Sequence, residues 1–351
     1  MSSIQSAINK LVNGQDLRTE EAEEVMRQIM SGEATPAQIG AFLSSLRIKG
    51  ETPTEIAAFA RVMSKFASRI DPKVDDILVD TCGTGGDQIN TFNISTSAMF
   101  VAAGADVLIA KHGNRSVTSK SGSADVLEAL GVNIEVSPDK VEKCIEDVGL
   151  GFMFAPEFHG AMKHAIGPRK EIKLRTVFNV LGPLTNPAAA RAQVMGVYDP
   201  SLTEKMAKVL NKLNCENAMV VHGLDGLDEI STLGETKVSE LVDGGVRTYS
   251  IEPEDFDIPR AEPKDIAGGD AEENAKILLR ILKGEKNAPR DITLLNAAAA
   301  ILVGEKAGDM REGLEIAKKS VDSGKAYEKL EKLIETSGGD KTRLRKLEES
   351  L

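Results

Sequence analysis

From residue 76 onward, short apolar segments alternate with helical segments, and this alternation restricts the fold more than any other feature of the sequence. The apolar segments are predicted to be strands and occupy residues 76–80, 106–110, 151–155, 193–198 and 218–223. Helical segments lie between most of them, at residues 95–104, 123–130, 137–148 and 201–213. Because strands that alternate with helices usually pair in parallel, the pattern predicts an α/β domain with a central, largely parallel sheet.

The segments on either side of this alternation have other patterns. Residues 3–70 show only helical patterns, including helix starts at Thr35-Pro36 and Thr52-Pro53. We therefore expect a small N-terminal α-helical domain over residues 1–70 and a larger α/β domain over residues 71–351. Residues 240–268 are predicted to be irregular, apart from a hairpin turn at DGGV (243–246), and the last dozen residues are predicted to fray. Further helices are predicted over residues 270–283, 291–303, 307–323 and 325–336.

Charge and cysteine usage restrict the partners and the cellular setting. The chain has 43 Lys and Arg against 54 Asp and Glu, a net charge of −11, which argues against nucleic acid or an anionic membrane as a partner. Its three cysteines are far apart and show no metal-binding spacing. No apolar stretch resembles a signal peptide or a membrane span. We therefore expect a cytoplasmic protein.

Two glycine-containing loops follow neighbouring predicted strands. The first loop (residues 83–93) begins Gly-Thr-Gly-Gly-Asp, and the second loop (residues 111–122) begins Lys-His-Gly-Asn-Arg. Backbone N–H groups in such turns bind anions, as does the start of the helix that follows the first loop. Lys111 and Arg115 add positive charge, so the two loops are predicted to hold a ligand with several phosphates. Asp87 would repel phosphate, and is explained by a divalent cation, a sugar hydroxyl or a turn-stabilising role.

Four sequence blocks together resemble the anthranilate phosphoribosyltransferase family. They are GTGGD…TFNIST (83–96), KHGNRSVTSKSGSADVLEALG (111–131), RKEIKLRTVFNVLGPLTNPA (169–188) and DGLDEIS (225–231, here called the acidic turn). They occur in the family's order, and the similarity extends over nearly the whole chain. One departure is Lys173, where the family pattern has glycine and where we expect a surface position.

The resemblance implies a fold, a reaction and a cofactor. The fold is nucleoside-phosphorylase-like, with helices from about 160–190 completing the small domain, and the assembly is a homodimer. The reaction transfers the phosphoribosyl group of phosphoribosyl pyrophosphate (PRPP) to the amine of anthranilate, in the second step of L-tryptophan biosynthesis. The cofactor is Mg²⁺, with two ions expected. An aromatic amine is unprotonated at neutral pH, so we expect no covalent or general-base residue.

The resemblance also assigns residues to ligands. The PRPP-binding residues are expected to be Gly83, Gly86, Asp87, Thr91, Asn93, Ile94, Ser95, Thr96, Lys111, His112, Gly113, Asn114, Arg115, Ser116, Val117, Thr118, Ser119 and Ser123. The anthranilate-binding residues are expected to be Gly83, Asn114 and Arg169. The metal ligands are expected to be Ser95, Asp228 and Glu229.

Most of these residues also have a structural interpretation. Ser95 suits a helix cap, an acidic pair suits a solvated face, and an arginine more often forms an ion pair. We expect Gly167-Pro168 to begin the helix that carries Arg169, and Arg175 to be structural. The roles of His112, His159 and His164 stay open, and His222 is expected to be structural.

Two other functions remain as alternatives. A pyrimidine nucleoside phosphorylase would use inorganic phosphate, but NIST (93–96) and the acidic turn favour the PRPP enzyme. A non-catalytic binding relative would have lost Arg169 or the acidic pair, or become basic, and this chain shows none of these changes.

Overall fold

The computed structural model describes residues 3–86, 89–116 and 120–351. Its first four helices are α1 Ser3–Val12, α2 Thr19–Met30, α3 Pro36–Lys49 and α4 Pro53–Phe66. Thr35 and Thr52 cap α3 and α4 by accepting the N–H groups of Gln38 and Glu55, as the Thr-Pro pattern predicts. The helices bury one shared apolar layer that reaches beneath the sheet.

Among the described residues after α4, a mixed sheet of seven strands forms the centre. The strands are β1 Leu78–Asp80, β2 Leu108–Gly113, β3 Leu150–Phe154, β4 Ala192–Gly196, β5 Asn217–Gly223, β6 Thr236–Val242 and β7 Gly245–Ile251. Their order is β3-β2-β1-β4-β5-β6-β7, and all pairs from β3 to β5 are parallel. The prediction of a largely parallel sheet is confirmed. The loops that follow β1, β2, β4 and β5 therefore meet at one edge.

Helices cover the sheet and complete the core. They are α5 Ile94–Gly104, α6 Ser123–Ala129, α7 Pro138–Val148, α8 Ala155–Phe158, α9 Lys163–Ile172, α10 Phe178–Leu181, α11 Leu202–Lys212, α12 Ala271–Leu282, α13 Ala288–Val303, α14 Met310–Asp322, α15 Lys325–Ser337 and α16 Lys341–Glu349. Helix α13 packs against α5 and α14 and reaches β4 and β5. It therefore lies behind the loops at the carboxyl edge. Helix α9 packs on α2 and α3, next to the N-terminal helices. No helix in the described ranges is long and apolar enough to span a bilayer.

Two predictions for the second half of the chain are wrong. Residues 240–251 were expected to be irregular, but they belong to the antiparallel pair β6–β7, which the predicted turn at Asp243-Gly244 joins. The strand β7 is the sheet edge and is largely exposed, so it needs no apolar run. Residues 341–349 form α16 and do not fray, because Leu344 and Leu347 are buried in the main core.

The helix that carries Arg169 also differs from its prediction. Helix α9 begins at Lys163, so Gly167 and Pro168 lie inside it and do not start it. A preceding 3₁₀ turn, Gly160–Met162, already sets the helical direction. The helix ends at Lys173, which is exposed as expected but has φ 50° and ψ 28°, in the left-handed region. Glycine adopts this conformation without strain, so the glycine expected at this position from the resemblance would suit this helix end.

Close approach of two segments defines the carboxyl edge of the sheet. A Cβ atom added to Gly196, the last residue of β4, would overlap the carbonyl oxygen of Asp228. A Cβ atom on Gly83 would lie 3.0 Å from the Gly196 carbonyl oxygen. The first loop, β4 and the acidic turn are thus stacked with no room for side chains between them.

We expect Gly196→Ala to lower the free energy of unfolding by about 1–3 kcal/mol, the usual cost of overpacking a dense site. The control Gly167→Ala adds a methyl group with no heavy atom within 4 Å, on a helix. The control should be neutral or stabilising. Urea denaturation of both variants measures the difference, and equal unfolding midpoints would show that the acidic turn moves aside at no cost.

We expect Lys173→Gly to raise the free energy of unfolding by about 1 kcal/mol, because it removes a side chain from a left-handed residue. The control is Lys170→Gly, three residues earlier within α9, which should lower the free energy of unfolding by about 1 kcal/mol. Thermal denaturation reports both. If Lys173→Gly is also destabilising, the left-handed helix end is not strained in solution.

Candidate active site

The first loop is attached to the end of β4 through Thr84. The Thr84 N–H donates to the Gly196 carbonyl at 2.8 Å, and the Thr84 hydroxyl accepts the Tyr198 N–H at 3.2 Å. Gly85 and Gly86 then adopt φ 65° and 95°, which favour glycine. Arg175 stacks over the Tyr198 ring at 4.3 Å and donates to the Gly86 carbonyl at 3.4 Å. This contact agrees with the structural role expected for Arg175.

The start of α5 meets the acidic turn, although the two are far apart in sequence. The Ser95 N–H donates to the Glu229 carboxylate at 3.2 Å. The expected metal ligands Ser95 and Glu229 are therefore adjacent, with Asp228 next to Glu229 in the chain. Ile94 and Thr96, two of the expected PRPP-binding residues, are only 1% exposed in this structure. Ser95 is not the helix cap, since Asn93 occupies that position.

The acidic pair lies in an electrostatically unfavourable place for two negative charges. Glu229 is partly exposed, beside the start of α5. Burial, and then the neighbouring charge of Asp228, hold the pKa of the Glu229 carboxyl well above its usual range. A bound cation would favour the charged form. Among the described residues no cluster of three His, Cys, Asp or Glu could hold a metal. A cation here would therefore depend on further oxygen atoms from a ligand or water.

Lys111 lies beneath the first loop. Its side chain is 2% exposed, and its ammonium group donates to the Thr81 carbonyl at 2.7 Å and to the Thr81 hydroxyl at 3.1 Å. In this arrangement the charge supports the backbone where the first loop begins. The positive charge of Lys111 also opposes, in part, the upward shift of the Glu229 pKa.

A buried aspartate that the sequence analysis did not identify joins three segments. Asp80 accepts the Asn186 amide at 2.7 Å and the His112 N–H at 3.2 Å. The same Asn186 amide donates to the Ala110 carbonyl at 2.8 Å. Burial raises the pKa of Asp80 to about 6, although Lys111 and these donors oppose the shift. An aspartate at the end of a buried strand was the available sequence signal.

The second loop is closed by Asp125, another residue that was missed. Its carboxylate accepts the N–H groups of Ser116 at 3.1 Å and Gly122 at 2.8 Å. Arg115 donates to Asp125 and to Glu128, at 3.2 and 2.6 Å, and lies over the Phe154 ring. These carboxylates raise the pKa of Arg115. The guanidinium of Arg115 is thus directed at α6, which is a structural arrangement.

The neighbours of Asn114 are part of the same loop. The Asn114 side chain accepts the Arg115 N–H at 2.7 Å, and its carbonyl accepts the Ser123 hydroxyl at 3.3 Å. Gly113 is closely packed, since an added Cβ would lie 2.6 Å from the Phe152 ring. The backbone at residues 113 and 114 is therefore held against β3 and the start of α6.

Asn93 joins the two loops. Its amide donates to the Ser121 carbonyl at 3.2 Å and accepts from Asn274 of α12 at 2.8 Å. Thr91 pairs with Ala267 in an isolated antiparallel bridge. The first loop is thereby anchored on two sides before α5 begins. Asn274 had no distinguishing sequence signal, because its partner lies 181 residues away.

Arg169 differs from Arg115 and Arg175 in its surroundings. Its guanidinium lies over the Phe178 ring at 5.1 Å, and burial lowers its pKa. The salt bridges within the described ranges include no carboxylate partner for it. The described residues therefore do not show the structural ion pair that was the alternative role for Arg169.

The histidines divide into distinct groups. His112 and His159 are buried with ring centroids 4.9 Å apart, and burial lowers their pKa values to about 3 and about 4. Both are therefore neutral near pH 7. His222 bonds the Val197 carbonyl at 2.7 Å, as expected of a structural residue. His164 lies against Gly32 of the N-terminal helices.

The expected site residues Asp87, Val117, Thr118 and Ser119 lie outside the described residues.

Comparison with known proteins gives matches over nearly the whole chain. Two family models match, described as "Glycosyl transferase family, helical bundle domain" over residues 5–67 and "Glycosyl transferase family, a/b domain" over residues 75–327. The anthranilate phosphoribosyltransferase of Acetivibrio thermocellus is 57% identical over 332 residues, which are 95% of this chain and 96% of that protein.

Solved structures agree with the sequence matches. The crystal structure of anthranilate phosphoribosyltransferase from Thermus thermophilus has a TM-score of 0.90 and 43% identity, covering 96% of this chain and 100% of that one. The enzyme from Saccharomyces cerevisiae, in complex with PRPP and Mg, has a TM-score of 0.87 and 30% identity, covering 95% and 98%. Together with the order of the loops and the acidic turn, these matches mean that the chain belongs to the anthranilate phosphoribosyltransferase family.

Proposed function

We propose that this chain transfers the 5-phosphoribosyl group of PRPP to the amine of anthranilate, releasing pyrophosphate, in the second step of L-tryptophan biosynthesis. The observation that carries the proposal is the junction of the first loop, the start of α5 and the acidic turn, where Ser95 donates to Glu229. The family's name and the yeast relative with PRPP and Mg support it. The direct test follows the loss of anthranilate fluorescence with PRPP and Mg²⁺.

PRPP binds along the carboxyl edge of the sheet in this proposal. The backbone N–H groups of the first loop and the start of α5 face its phosphates, which suits the open backbone at Gly85 and Gly86. The second loop supplies further contacts, held in shape by Asp125. Lys111 stabilises the loop from below, and Asp87, Val117, Thr118 and Ser119 complete the expected set.

Magnesium fits the oxygen donors at the acidic turn. Asp228, Glu229 and the Ser95 hydroxyl are hard ligands, and the raised pKa of Glu229 fits a site made for a cation. When bound, Mg²⁺ would neutralise the charge that develops on the leaving pyrophosphate. We propose two ions. One acidic pair lies at this point among the described residues, so PRPP oxygens would have to supply many of the ligands.

Anthranilate is oriented by its carboxylate. The Arg169 guanidinium is planar, lies on the Phe178 ring and has no carboxylate partner among the described residues, so it is suited to a bidentate contact. Gly83 and Asn114 are the other residues proposed to contact anthranilate. The neutral His112 and His159 add no positive charge near the amine.

The displacement at the anomeric carbon needs orientation and charge stabilisation more than proton transfer. The ring oxygen of ribose shares positive charge in an oxocarbenium-like transition state. The neutral amine forms the C–N bond as the C–O bond to pyrophosphate breaks, and it then loses a proton to the released pyrophosphate or to water. Positioning the amine over the anomeric carbon supplies much of the rate. Preorganised backbone donors stabilise the departing phosphates. We propose no covalent intermediate, and isolation of a ribosylated side chain during turnover would contradict this.

We also propose a cytoplasmic homodimer in which each subunit divides into two domains near residue 70, with the segment from about 160–190 completing the helical domain. The packing of α9 on α2 and α3 supports this division. Sedimentation velocity would test the dimer.

The rival function, a pyrimidine nucleoside phosphorylase, is tested with thymidine and inorganic phosphate, and phosphorolysis without anthranilate transfer would establish it.

We expect Arg169→Ala to raise the KM for anthranilate about 10- to 150-fold, equivalent to the 1.5–3 kcal/mol of a charged hydrogen bond. The KM for PRPP should change by less than about threefold, because Arg169 makes no hydrogen bond to PRPP in this proposal. The control Arg191→Ala removes an exposed arginine that pairs with Glu216. Steady-state kinetics in both substrates give the values, and equal losses for both substrates would assign Arg169 a structural role.

We expect Glu229→Gln to raise the Mg²⁺ concentration for half-maximal activity by about 10-fold or more, as typical for a lost contact at a metal site. The amide keeps the shape of the side chain but binds a cation weakly. Glu254→Gln, an exposed acid paired with Arg260, is the control. An unchanged Mg²⁺ requirement at saturating PRPP would place the metal elsewhere.

A further inference from the structure

A single amide side chain from α13 holds the acidic turn from behind. The Asn296 oxygen accepts the Ile230 N–H at 2.9 Å, and the Asn296 nitrogen donates to the Ile230 carbonyl at 2.9 Å. The same nitrogen donates to the Ile292 carbonyl at 2.9 Å. Asn296 is 3% exposed and Ile230 is fully buried. One side chain thus satisfies both backbone groups of the residue directly after Glu229.

This contact restricts the backbone from which the Glu229 side chain projects. The Ile230 N–H belongs to the rigid peptide plane that joins Glu229 to Ile230. When that N–H and the next carbonyl are both held, the peptide plane on the carboxyl side of Glu229 has little freedom to rotate. The amide therefore helps to place the backbone of a residue whose carboxylate it does not touch.

The opposite side of the acidic turn is held by other contacts. The Asp225 carboxylate accepts the Leu227 N–H at 3.1 Å and the Ser231 hydroxyl at 2.5 Å, which closes the turn. The Asp228 carbonyl packs on the bare Gly196 backbone. Steric contact sets the depth of the turn from the β4 side, and Asn296 sets its orientation from the α13 side.

Such support matters because adjacent carboxylates repel. In a turn free to relax, Asp228 and Glu229 would separate, and a cation would have to bring them together on binding. Groups that hold metal ligands in place without touching the metal commonly change its affinity about 10- to 100-fold. We propose that Asn296 is a positioning residue that holds the Asp228–Glu229 pair in the geometry that binds the divalent cation. This inference rests on the proposed function.

The test measures cation binding directly, with Mn²⁺ as the probe and PRPP present. Free Mn²⁺ is followed by electron paramagnetic resonance for the wild type, Asn296→Ala and Asn296→Leu. We expect both variants to bind Mn²⁺ about 10-fold more weakly or worse, with the KM for anthranilate nearly unchanged. Asn296→Leu keeps most of the volume, so it serves if the alanine variant does not fold.

A matched control separates positioning from general destabilisation. Ser320 is 3% exposed and donates to the Val101 carbonyl at 2.7 Å, on α14 and away from the acidic turn. Ser320→Ala should lower the melting temperature while leaving Mn²⁺ binding unchanged. Wild-type affinity in both Asn296 variants would overturn the inference alone. Failure of the wild type to bind Mn²⁺ with PRPP, or to consume anthranilate, would refute the proposed function and this inference with it.

Discussion

The close contact between Gly196 and the Asp228 carbonyl is the constraint on which the rest of the site depends. Glycine at the end of β4 lets a segment that follows β5 lie directly on the sheet edge, and Gly83 lets the first loop lie on the other side. This stacking brings Glu229 within hydrogen-bond distance of Ser95. A side chain at position 196 would separate the acidic turn from the start of α5, and the expected metal ligands would no longer be neighbours.

Asparagine side chains connect the segments around this contact. Asn186 joins β2 and Asp80, Asn93 and Asn274 join α5 to α12, and Asn296 joins α13 to the acidic turn. An amide both donates and accepts, so it can satisfy buried backbone groups without adding a charge. That neutrality matters because Asp80 and Lys111 are already buried here, and unpaired buried charges are costly.

The chemistry of the site favours binding and orientation over proton transfer or covalent attack. The buried imidazoles of His112 and His159 are neutral near pH 7, and burial raises the pKa of the Cys82 thiol, which makes it a poor nucleophile. Lys111 is occupied with Thr81. Among the groups proposed to bind substrates, backbone N–H groups, the acidic pair and Arg169 suit phosphates, a hard cation and a carboxylate respectively.

The sequence by itself determined the alternation of strands and helices, the capped N-terminal helices, the glycine loops and the family. These depend on local patterns of apolar residues, turns and caps, and on ordered motifs that need no knowledge of distant contacts. Local pattern failed at β7, where an edge strand needs no apolar run, and at α16, whose short apolar face is buried only by its neighbours. Tertiary structure alone decided that Arg115 turns to Glu128 while Arg169 has no acidic partner in the described ranges, and that Asn296 supports Glu229. Those outcomes depend on which side chains meet across 13 to 181 residues of chain, and such meetings follow from packing in three dimensions.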